Sequence, residues 1–323
     1  MELDALDRRI LYELDIDSRQ SAKSIAKKVK SNKDTVNYRI NRLMKEKIIS
    51  GFLTRIDNAP VGFNVTKLCL RFQDTDEKKE QEFFSYLNTL PEVAWAVQSS
   101  GRWDVLLAIW NTSNFSFYKT MGKILNRFSR NIFEREIIQN INWFYYNRKW
   151  LLPEDYEVHS AKYGEEPGRE RLDRTDVAIL EELVKDARMP FSEIGKRLRT
   201  SPQNVLNRVR AMEKKGVITK YGMDLDYEKM GIVFCKSFIA LHNMNEESLK
   251  KIYAYCEREP KIFTLVTALG AWDLELEMEV SRMEELMEIM NRLKREFPDC
   301  VKGYDSVVIT RQRKLSYIPP LGI

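Results

Sequence analysis

Three apolar stripes at helical spacing follow one another near the start of the chain. Each stripe is short and is flanked by charged or small polar residues, as expected for amphipathic helices. A short helix, a tight turn and a longer basic helix, in that order, are typical of a helix-turn-helix. The stripes consist of Leu6, Ile10, Leu11 and Leu14; Ile25 and Val29; and Val36, Ile40 and Leu43.

This pattern occurs twice. The segment "LDALDRRILYEL", which begins at Leu3, reappears as "LDRTDVAILEEL" from Leu172, and "SGRWDVLLAIW" from Ser100 reappears as "LGAWDLELEME" from Leu269. The offset is 169 residues in both cases, so the chain is predicted to be a tandem duplication of one long unit. The polar segment 151–170 between the copies lacks sustained periodicity and is predicted to be a linker.

After each helix-turn-helix segment, the pattern changes to strands alternating with helices. In both copies the predicted order is strand, helix, strand, strand, helix, strand. An antiparallel sheet with two helices on one face is a ferredoxin-like sandwich. The predicted fold class is therefore α+β, with two winged-type helix-turn-helix domains alternating with two ferredoxin-like βαββαβ sandwich domains.

The domain boundaries are predicted from the same patterns. The first helix-turn-helix domain covers 1–50, its sandwich 51–150, the linker 151–170, the second helix-turn-helix domain 171–219 and the second sandwich 220–323.

Composition limits the classes of function. The chain has 323 residues, of which 43% are hydrophobic, so more than one core is expected. Its formal net charge is only +5, so any binding to a polyanion must come from local clusters of charge. No apolar run approaches the roughly 20 residues that span a bilayer, and the opening "MELDALDRR" does not resemble a signal peptide. A cytoplasmic protein without membrane contact is expected.

The cysteines and histidines form no pattern of metal ligands or nucleophiles. The cysteines include no C-x-x-C pair and are predicted to be small buried hydrophobic residues. His159 is predicted to be solvated and His242 to lie at the end of a strand. No catalytic residue, metal or cofactor is therefore expected. The cysteines are Cys69, Cys235, Cys256 and Cys300.

The third helical segment carries the chemistry that could read DNA. In the second copy, Ser201 suits the N-cap and Pro202 the first turn, which predicts a helix from about 202 to 215. Asn, Gln and Arg on its outward face can reach base edges, and Arg and Lys can also hold phosphates. The predicted DNA-binding residues are Gln203, Asn204, Asn207, Arg208 and Arg210 in the second copy and Lys33, Asn37, Tyr38, Arg39 and Arg42 in the first.

A solvated basic face is the structural alternative for both helices. For Arg39 and Arg208 there is a further alternative, an ion pair with a local acid such as Asp7 or Asp176. The helix-turn-helix order, present twice, favours DNA. Double-stranded DNA is therefore the predicted partner.

The second copy resembles the DNA-binding half of the Lrp/AsnC, or feast/famine, transcription regulators. The resemblance lies in the leading Leu-Asp, the "DAR" after the first helix, the recognition helix that begins with Ser, and the closing "GVI". The first copy has "DSR" and "KII" at the matching places. The resemblance implies that the sandwich domains bind an effector, commonly an amino acid, and form homo-oligomers. It also implies that the two sheets pack face to face, so that one chain is built like a family dimer.

Both copies carry G-x-W-D between the second and third sandwich strands. The pattern suits a hairpin with a packed indole, because Gly admits the backbone angles of a tight turn. The resemblance adds an expected effector site here. Its residues are Gly101, Trp103, Asp104, Gly270, Trp272 and Asp273.

The predicted function is a sequence-specific DNA-binding transcription regulator modulated by a small metabolite. One alternative is an enzyme, because siroheme decarboxylases resemble the same two-domain family. Another is an assembly protein whose DNA-binding helices are vestigial.

Overall fold

A computed structural model describes residues 3–152, 154, 156–164 and 166–321. The first copy begins with three helices and has the predicted order of elements, except that a strand that was not predicted, β1 (Ile49–Ile56), follows the third helix. The strands and helices of a sandwich domain come next. The elements are α1 (Ala5–Ile16), α2 (Ala22–Lys28), α3 (Lys33–Lys45), β1 (Ile49–Ile56), β2 (Asn64–Phe72), α4 (Glu77–Asn88), β3 (Val93–Gly101), β4 (Val105–Asn111), α5 (Asn114–Phe128) and β5 (Ile132–Tyr146).

The second copy repeats this order after a connection that includes a short strand, β6 (Ser160–Tyr163). The predicted recognition helix is confirmed with nearly the predicted bounds. The elements are α6 (Arg174–Lys185), α7 (Phe191–Arg197), α8 (Pro202–Lys214), β7 (Ile218–Leu225), β8 (Val233–Leu241), α9 (Glu246–Arg258), β9 (Ile262–Leu269), β10 (Leu274–Val280), α10 (Met283–Glu296) and β11 (Val301–Leu315).

Each helix-turn-helix domain is completed by the other copy. Strand β1 pairs antiparallel with β7, so that Phe52 lies opposite Met223. Met223 and Leu225 are buried in the core of α1–α3, whereas Ile56 is buried in the core of α6–α8. The strand after each recognition helix therefore pairs with its counterpart from the other copy.

The two sandwich domains have the predicted ferredoxin-like topology. Their strand orders are β5-β2-β4-β3 and β11-β8-β10-β9. In the first, Leu68 and Leu107 of the sheet pack with Phe83 of α4 and Ile124 of α5. Every second residue of a strand points to the outer face of its sheet, and the helices cover this face because those residues are apolar.

The two sheets are also joined to each other at both edges. Strand β3 pairs with β11 and β5 pairs with β9, so eight strands close into one antiparallel barrel. Cys69 and Leu106 of the first sheet meet Phe238 and Trp272 of the second inside the barrel. The sheets thus face each other, as the family resemblance implied, and in addition share every hydrogen-bonding edge except that of the added strand β6.

The predicted linker is anchored on both sides. Strand β6 pairs with β5, and just before the linker the ammonium group of Lys149 donates to the carbonyls of Glu257 and Ile262, both at 2.9 Å. The buried Arg148 donates to Asp15 at 2.6 Å and to Glu279 at 2.9 Å. The connection between the copies therefore packs against both of them.

The predictions for cysteine and histidine agree with the structure. All four thiols are free, three of them are buried and Cys300 is half-buried. Both histidines are exposed. Within the described residues, no helix has the length and apolar character needed to cross a membrane.

Gly101 and Gly270 lie at the ends of strands where the two sheets meet. Gly101 has a φ of +129°, and a Cβ there would lie 2.6 Å from the carbonyl oxygen of Ser306 on β11. Gly270 has a φ of +153°, and a Cβ there would lie 3.0 Å from the carbonyl oxygen of Ile137 on β5. Glycine is needed at these positions for close approach of the two backbones.

We expect Gly101→Ala to destabilise the barrel by about 1–3 kcal/mol, because it combines a strained backbone with a backbone clash. The measurement is chemical denaturation followed by tryptophan fluorescence. The matched control is Gly303→Ala. Gly303 lies on β11, the strand that pairs with β3, and a Cβ there would have no atom within 4 Å, so the free energy of unfolding should change little. Equal midpoints for the two variants would contradict this role for Gly101.

Candidate nucleic-acid interface and interior cavity

Helix α8 presents polar side chains to solvent near its N-terminus. The hydroxyl of Ser201 accepts from the backbone N–H of Asn204 at 3.1 Å, which caps the helix. The exposed Gln203 donates to Asn207 at 2.9 Å, and half-buried Asn204 donates to the Thr200 hydroxyl at 2.8 Å. Arg210, one turn further along, is exposed too. Three of the five predicted DNA-binding residues of this copy, Gln203, Asn207 and Arg210, are thus exposed, and Asn204 and Arg208 are half-buried.

Helix α3 presents a different set of side chains. Asn32 caps it by accepting from the backbone N–H of Thr35 at 2.8 Å. Lys33 is exposed and Tyr38 is 65% exposed, which is unusual for an aromatic ring, whereas Asn37 is half-buried. The predicted DNA-binding surface of α3 is therefore accessible, but it carries Tyr38 where α8 carries Asn207.

The repeated arginines pair with local acids. Arg208 forms ion pairs with Asp173 and Asp176, both at 2.8 Å, and Arg39 pairs with Asp4 at 2.5 Å and Asp7 at 3.1 Å. Arg39 and Arg208 therefore form the local ion pairs that the sequence offered as their alternative role, with Asp7 and Asp176 respectively. In the first copy Arg42 also binds Asp7, at 2.5 Å. These pairs join each recognition helix to the start of the first helix of its domain.

Two of these acids, Asp4 and Asp173, are the N-caps of α1 and α6. The backbone N–H of Asp176, and then the Arg208 guanidinium, lower the pKa of Asp173. In the first copy the backbone N–H of Asp7, and then Arg39, lower the pKa of Asp4. Each carboxylate therefore stabilises both the helix end and the arginine.

Reciprocal contacts hold the two helix-turn-helix domains together. Arg19 donates to the carbonyl of Ala187, and Arg188 donates to the carbonyl of Ser18 at 2.5 Å. The backbone N–H of Ser18 donates to Tyr221 at 2.9 Å, and that of Ala187 donates to Phe52 at 3.0 Å. These are the arginines of "DSR" and "DAR", so a motif that only suggested a family has a local role in pairing the domains.

The G-x-W-D segments form hairpins with packed indoles. Trp103 and Trp272 are buried inside the barrel. One carboxylate oxygen of Asp104 accepts from the backbone N–H of Phe72 at 2.7 Å, and one of Asp273 accepts from that of Leu241 at 2.7 Å. These contacts account for the motif without a ligand, and effector binding there stays a prediction.

A large cavity lies between the barrel and the β1–β7 pair. Its volume is about 690 Å³, and its lining includes three tryptophans, four tyrosines and two phenylalanines. Leu53 and Arg55 of β1 and Leu225 of β7 form one wall. Sequence reasoning missed this cavity, because its walls come from strands of both copies.

Four charged side chains of alternating sign, three of them buried and Glu277 half-buried, lie inside the barrel beside the cavity. Lys67 pairs with Glu275, which also binds Lys236 at 2.8 Å, and Lys236 binds Glu277 at 2.9 Å. Burial lowers the pKa of Lys67 to about 8, in spite of Glu275. Burial disfavours the charged form of Glu275, but Lys236 and Lys67 outweigh it and lower the pKa to about 2. The two lysines and two glutamates therefore balance one another in charge.

Comparison with known proteins agrees with this architecture. The AsnC-type helix-turn-helix domain matches residues 3–44 and 172–213. The transcriptional regulator LrpC of Bacillus subtilis (strain 168) is 31% identical over 123 residues, which are 38% of this chain and 83% of LrpC. The chain belongs to the Lrp/AsnC family. A second relative, the proline dehydrogenase transcriptional activator of Rhodobacter capsulatus, is 30% identical over 125 residues, 38% of this chain and 81% of that protein.

Solved structures of a siroheme decarboxylase match this Lrp/AsnC chain over both copies. The siroheme decarboxylase NirDL aligns with 98% of this chain and 94% of its own, with a TM-score of 0.63 and 15% identity. At that identity the likeness shows the fold alone. It shows that a duplicated Lrp/AsnC unit in a single chain has a known structural counterpart.

We expect Asp173→Ala to lower the stability of the second helix-turn-helix domain by about 0.5–2 kcal/mol, because it removes the N-cap of α6 and a partner of Arg208. The measurement is thermal unfolding of the whole chain at pH 7. The exposed Asp299, whose carboxylate has no ion pair within the described residues, provides the control substitution Asp299→Ala.

The stabilisation contributed by the Asp173 carboxylate should depend on pH. Because the folded-state pKa of Asp173 is lowered, its contribution is fully present above about pH 4 and is lost as the pH falls through that folded value. The difference between wild type and Asp173→Ala should therefore shrink in acid. A difference that stays constant down to pH 2 would show that the ionised carboxylate is not the stabilising group.

Proposed function

We propose that this Lrp/AsnC protein is a sequence-specific DNA-binding transcription regulator whose activity responds to a small metabolite. The observation that carries the proposal is the presence of two complete helix-turn-helix domains on one chain, paired by reciprocal Arg19 and Arg188 contacts, with both recognition helices open to solvent. Relatives with this domain are named as transcriptional regulators. The double-stranded DNA partner follows from this arrangement.

The accessible side chains of α8 are suited to base contacts. Gln203 and Asn207 can each make two hydrogen bonds to adenine, and Arg210 can hold a phosphate. Arg208 is already held by two aspartates, so it orients the helix and any contact it makes with DNA is shared with that role. In α3, Lys33, Asn37, Tyr38 and Arg42 form the corresponding set.

We expect Asn207→Ala to relax the preference for particular base pairs by about 1–3 kcal/mol and to leave the fold unchanged. The measurement is selection of bound duplexes from a random library, followed by affinity measurements at a fixed salt concentration. Asn291→Ala, at an exposed position of α10, is the matched control. Uniform weakening over all sequences would argue against base reading by Asn207.

The two recognition helices, α3 and α8, differ at almost every outward position. The two helix-turn-helix domains of one chain should therefore prefer different half-sites. Asp34, Thr35 and Tyr38 in α3 stand where α8 has Gln203, Asn204 and Asn207. We therefore expect an asymmetric operator, in contrast to the near-palindromes bound by identical subunits. Replacing residues 33–38 with the sequence of 202–207 should shift the selected site towards a palindrome. A wild-type site that is already palindromic would mean that equivalent helices from two chains pair instead.

The effector proposal concerns the G-x-W-D loops and ligands of the amino-acid class. Asp104 and Asp273 each use one carboxylate oxygen for a neighbouring strand, and the other could receive an ammonium group. We also propose that the sandwich domains join chains into homo-oligomers. A cytoplasmic location would suit a DNA-binding protein.

We expect Asp273→Asn to abolish amino-acid binding while preserving stability, because the amide oxygen can still accept from Leu241 but the charge is lost. Calorimetry against a panel of amino acids gives the affinity, and thermal unfolding gives the stability. If no amino acid binds the wild-type protein, or if Asp273→Asn binds as tightly, these loops have only a structural role.

The second candidate is an enzyme, and the cavity is the observation that favours it. The matching structure NirDL is a siroheme decarboxylase, and an aromatic cavity of this size could hold a large planar substrate. Neither His159 nor His242 lines the cavity, so acid–base work would fall to lysine, tyrosine or carboxylate side chains. Visible absorbance of the purified protein distinguishes the candidates, because a bound tetrapyrrole is coloured.

A further inference from the structure

We infer that the cavity is an effector site for an aromatic anion larger than an amino acid, bound through Arg55, and that its occupancy changes the relative positions of the two recognition helices. The coupling of the cavity to the recognition helices rests on the proposed function as a DNA-binding regulator. The site is distinct from the G-x-W-D loops, which lie at the ends of the β3 and β9 strands and do not line the cavity.

Size and lining define the body of the ligand. Cavities of about 300–1,000 Å³ hold drug-sized ligands, and this one falls within that range. Trp95, Trp110 and Trp143 line it together with tyrosine and phenylalanine rings, so flat aromatic surfaces are available for stacking. Exposed Arg311 and Leu315 of β11 also line it, which gives a route from solvent.

Arg55 supplies the charge selectivity. Its guanidinium lies 4.2 Å from the ring centroid of Tyr145, is half-buried, and forms no ion pair within the described residues. The other cations of the inner wall already have carboxylate partners: Lys67 and Lys236 bind Glu275, and Arg148 binds Glu279. A partly buried arginine without a carboxylate is costly unless a ligand provides one, and its planar donors match a carboxylate or sulfonate.

Two carboxylates that line the cavity have no ion pair within the described residues. Glu228 is exposed to solvent beyond the end of β7, and Asp224 is too far along the strand to neutralise Arg55. Asp224 pairs with Gly51 in the β1–β7 register, whereas Arg55 pairs with Lys220. Four residues along a strand correspond to about 13 Å. A polar atom is also left free inside: the hydroxyl of buried Thr264 lines the cavity region and has no hydrogen-bond partner in the described structure.

The β1–β7 pair connects this cavity to the DNA-binding surface. Strand β1 begins four residues after α3 ends, and β7 begins four residues after α8 ends. Leu53 and Arg55 of one strand and Leu225 of the other form the cavity wall. A ligand that moves this wall therefore moves the strands that directly follow both recognition helices.

Binding is tested with 8-anilinonaphthalene-1-sulfonate, a fluorescent aromatic anion, and with the uncharged N-phenyl-1-naphthylamine. We expect Arg55→Gln to weaken binding of the sulfonate about tenfold or more and to leave the uncharged probe unaffected, because a hydrogen bond between charged groups is lost. Arg55→Lys should restore part of the affinity. The matched control is Arg295→Gln, at an exposed position of α10.

The site is overturned if the folded wild-type protein does not bind the sulfonate, or if Arg55→Gln binds it as tightly as wild type. Equal weakening for both probes would also overturn the charge-based role of Arg55, because it would indicate a collapsed cavity. Thermal unfolding of each variant shows whether the fold is retained.

The coupling is tested without DNA. Spin labels at Tyr38→Cys and Asn207→Cys, in a Cys300→Ser background, report the distance between the recognition helices. We expect this distance to change when the sulfonate saturates the site, and an unchanged distance would overturn the coupling. A separate measurement of DNA affinity then tests the proposed function: a protein that shows both probe effects but binds no duplex keeps the site and loses the regulator assignment.

Discussion

The closure of the barrel between the two copies is the constraint on which the rest of the structure depends. An open antiparallel sheet leaves unpaired backbone groups at its edges, and here each sandwich domain offers its edges to the other. Strand β3 pairs with β11, and β5 pairs with β9, so the sheets cannot separate without losing two full ladders of hydrogen bonds. The cavity, the buried charges and the pairing of the helix-turn-helix domains all require the two copies to be held in this register.

The duplication produces a near two-fold arrangement, and the two copies differ at charged positions in the interior. Lys67 and Lys236 occupy equivalent positions, but Glu275, which binds both, corresponds to Leu106 in the first copy. Arg148 likewise corresponds to Tyr317. A dimer of identical chains would place two like charges together at such positions, whereas a fused chain can give one side the partner of the other. Fusion therefore permits a polar interior that symmetry would make unfavourable.

The same asymmetry extends to the DNA-binding surface. Arg39 and Arg208 are conserved between the copies as ion-pairing residues that join α3 to α1 and α8 to α6. The side chains around them differ, so the two domains share a scaffold and present different surfaces. The pairing arginines Arg19 and Arg188 are also shared. What is common to the two copies holds the domains in place, and what differs between them faces solvent or the barrel interior.

The sequence by itself determined the local features of this protein. Apolar periodicity predicted α1–α3 and α6–α8, the order of strands predicted two ferredoxin-like domains, and the residues around Ser201 predicted the start of the recognition helix. These features depend on neighbours within a few positions. Only the tertiary structure decided that Phe52 pairs opposite Met223, that Arg55 faces a cavity, and that Asp104 is used by a neighbouring strand. Each of these contacts joins residues that are more than 30 positions apart or in different copies, and pattern along the chain carries no information about which distant strand edges will meet.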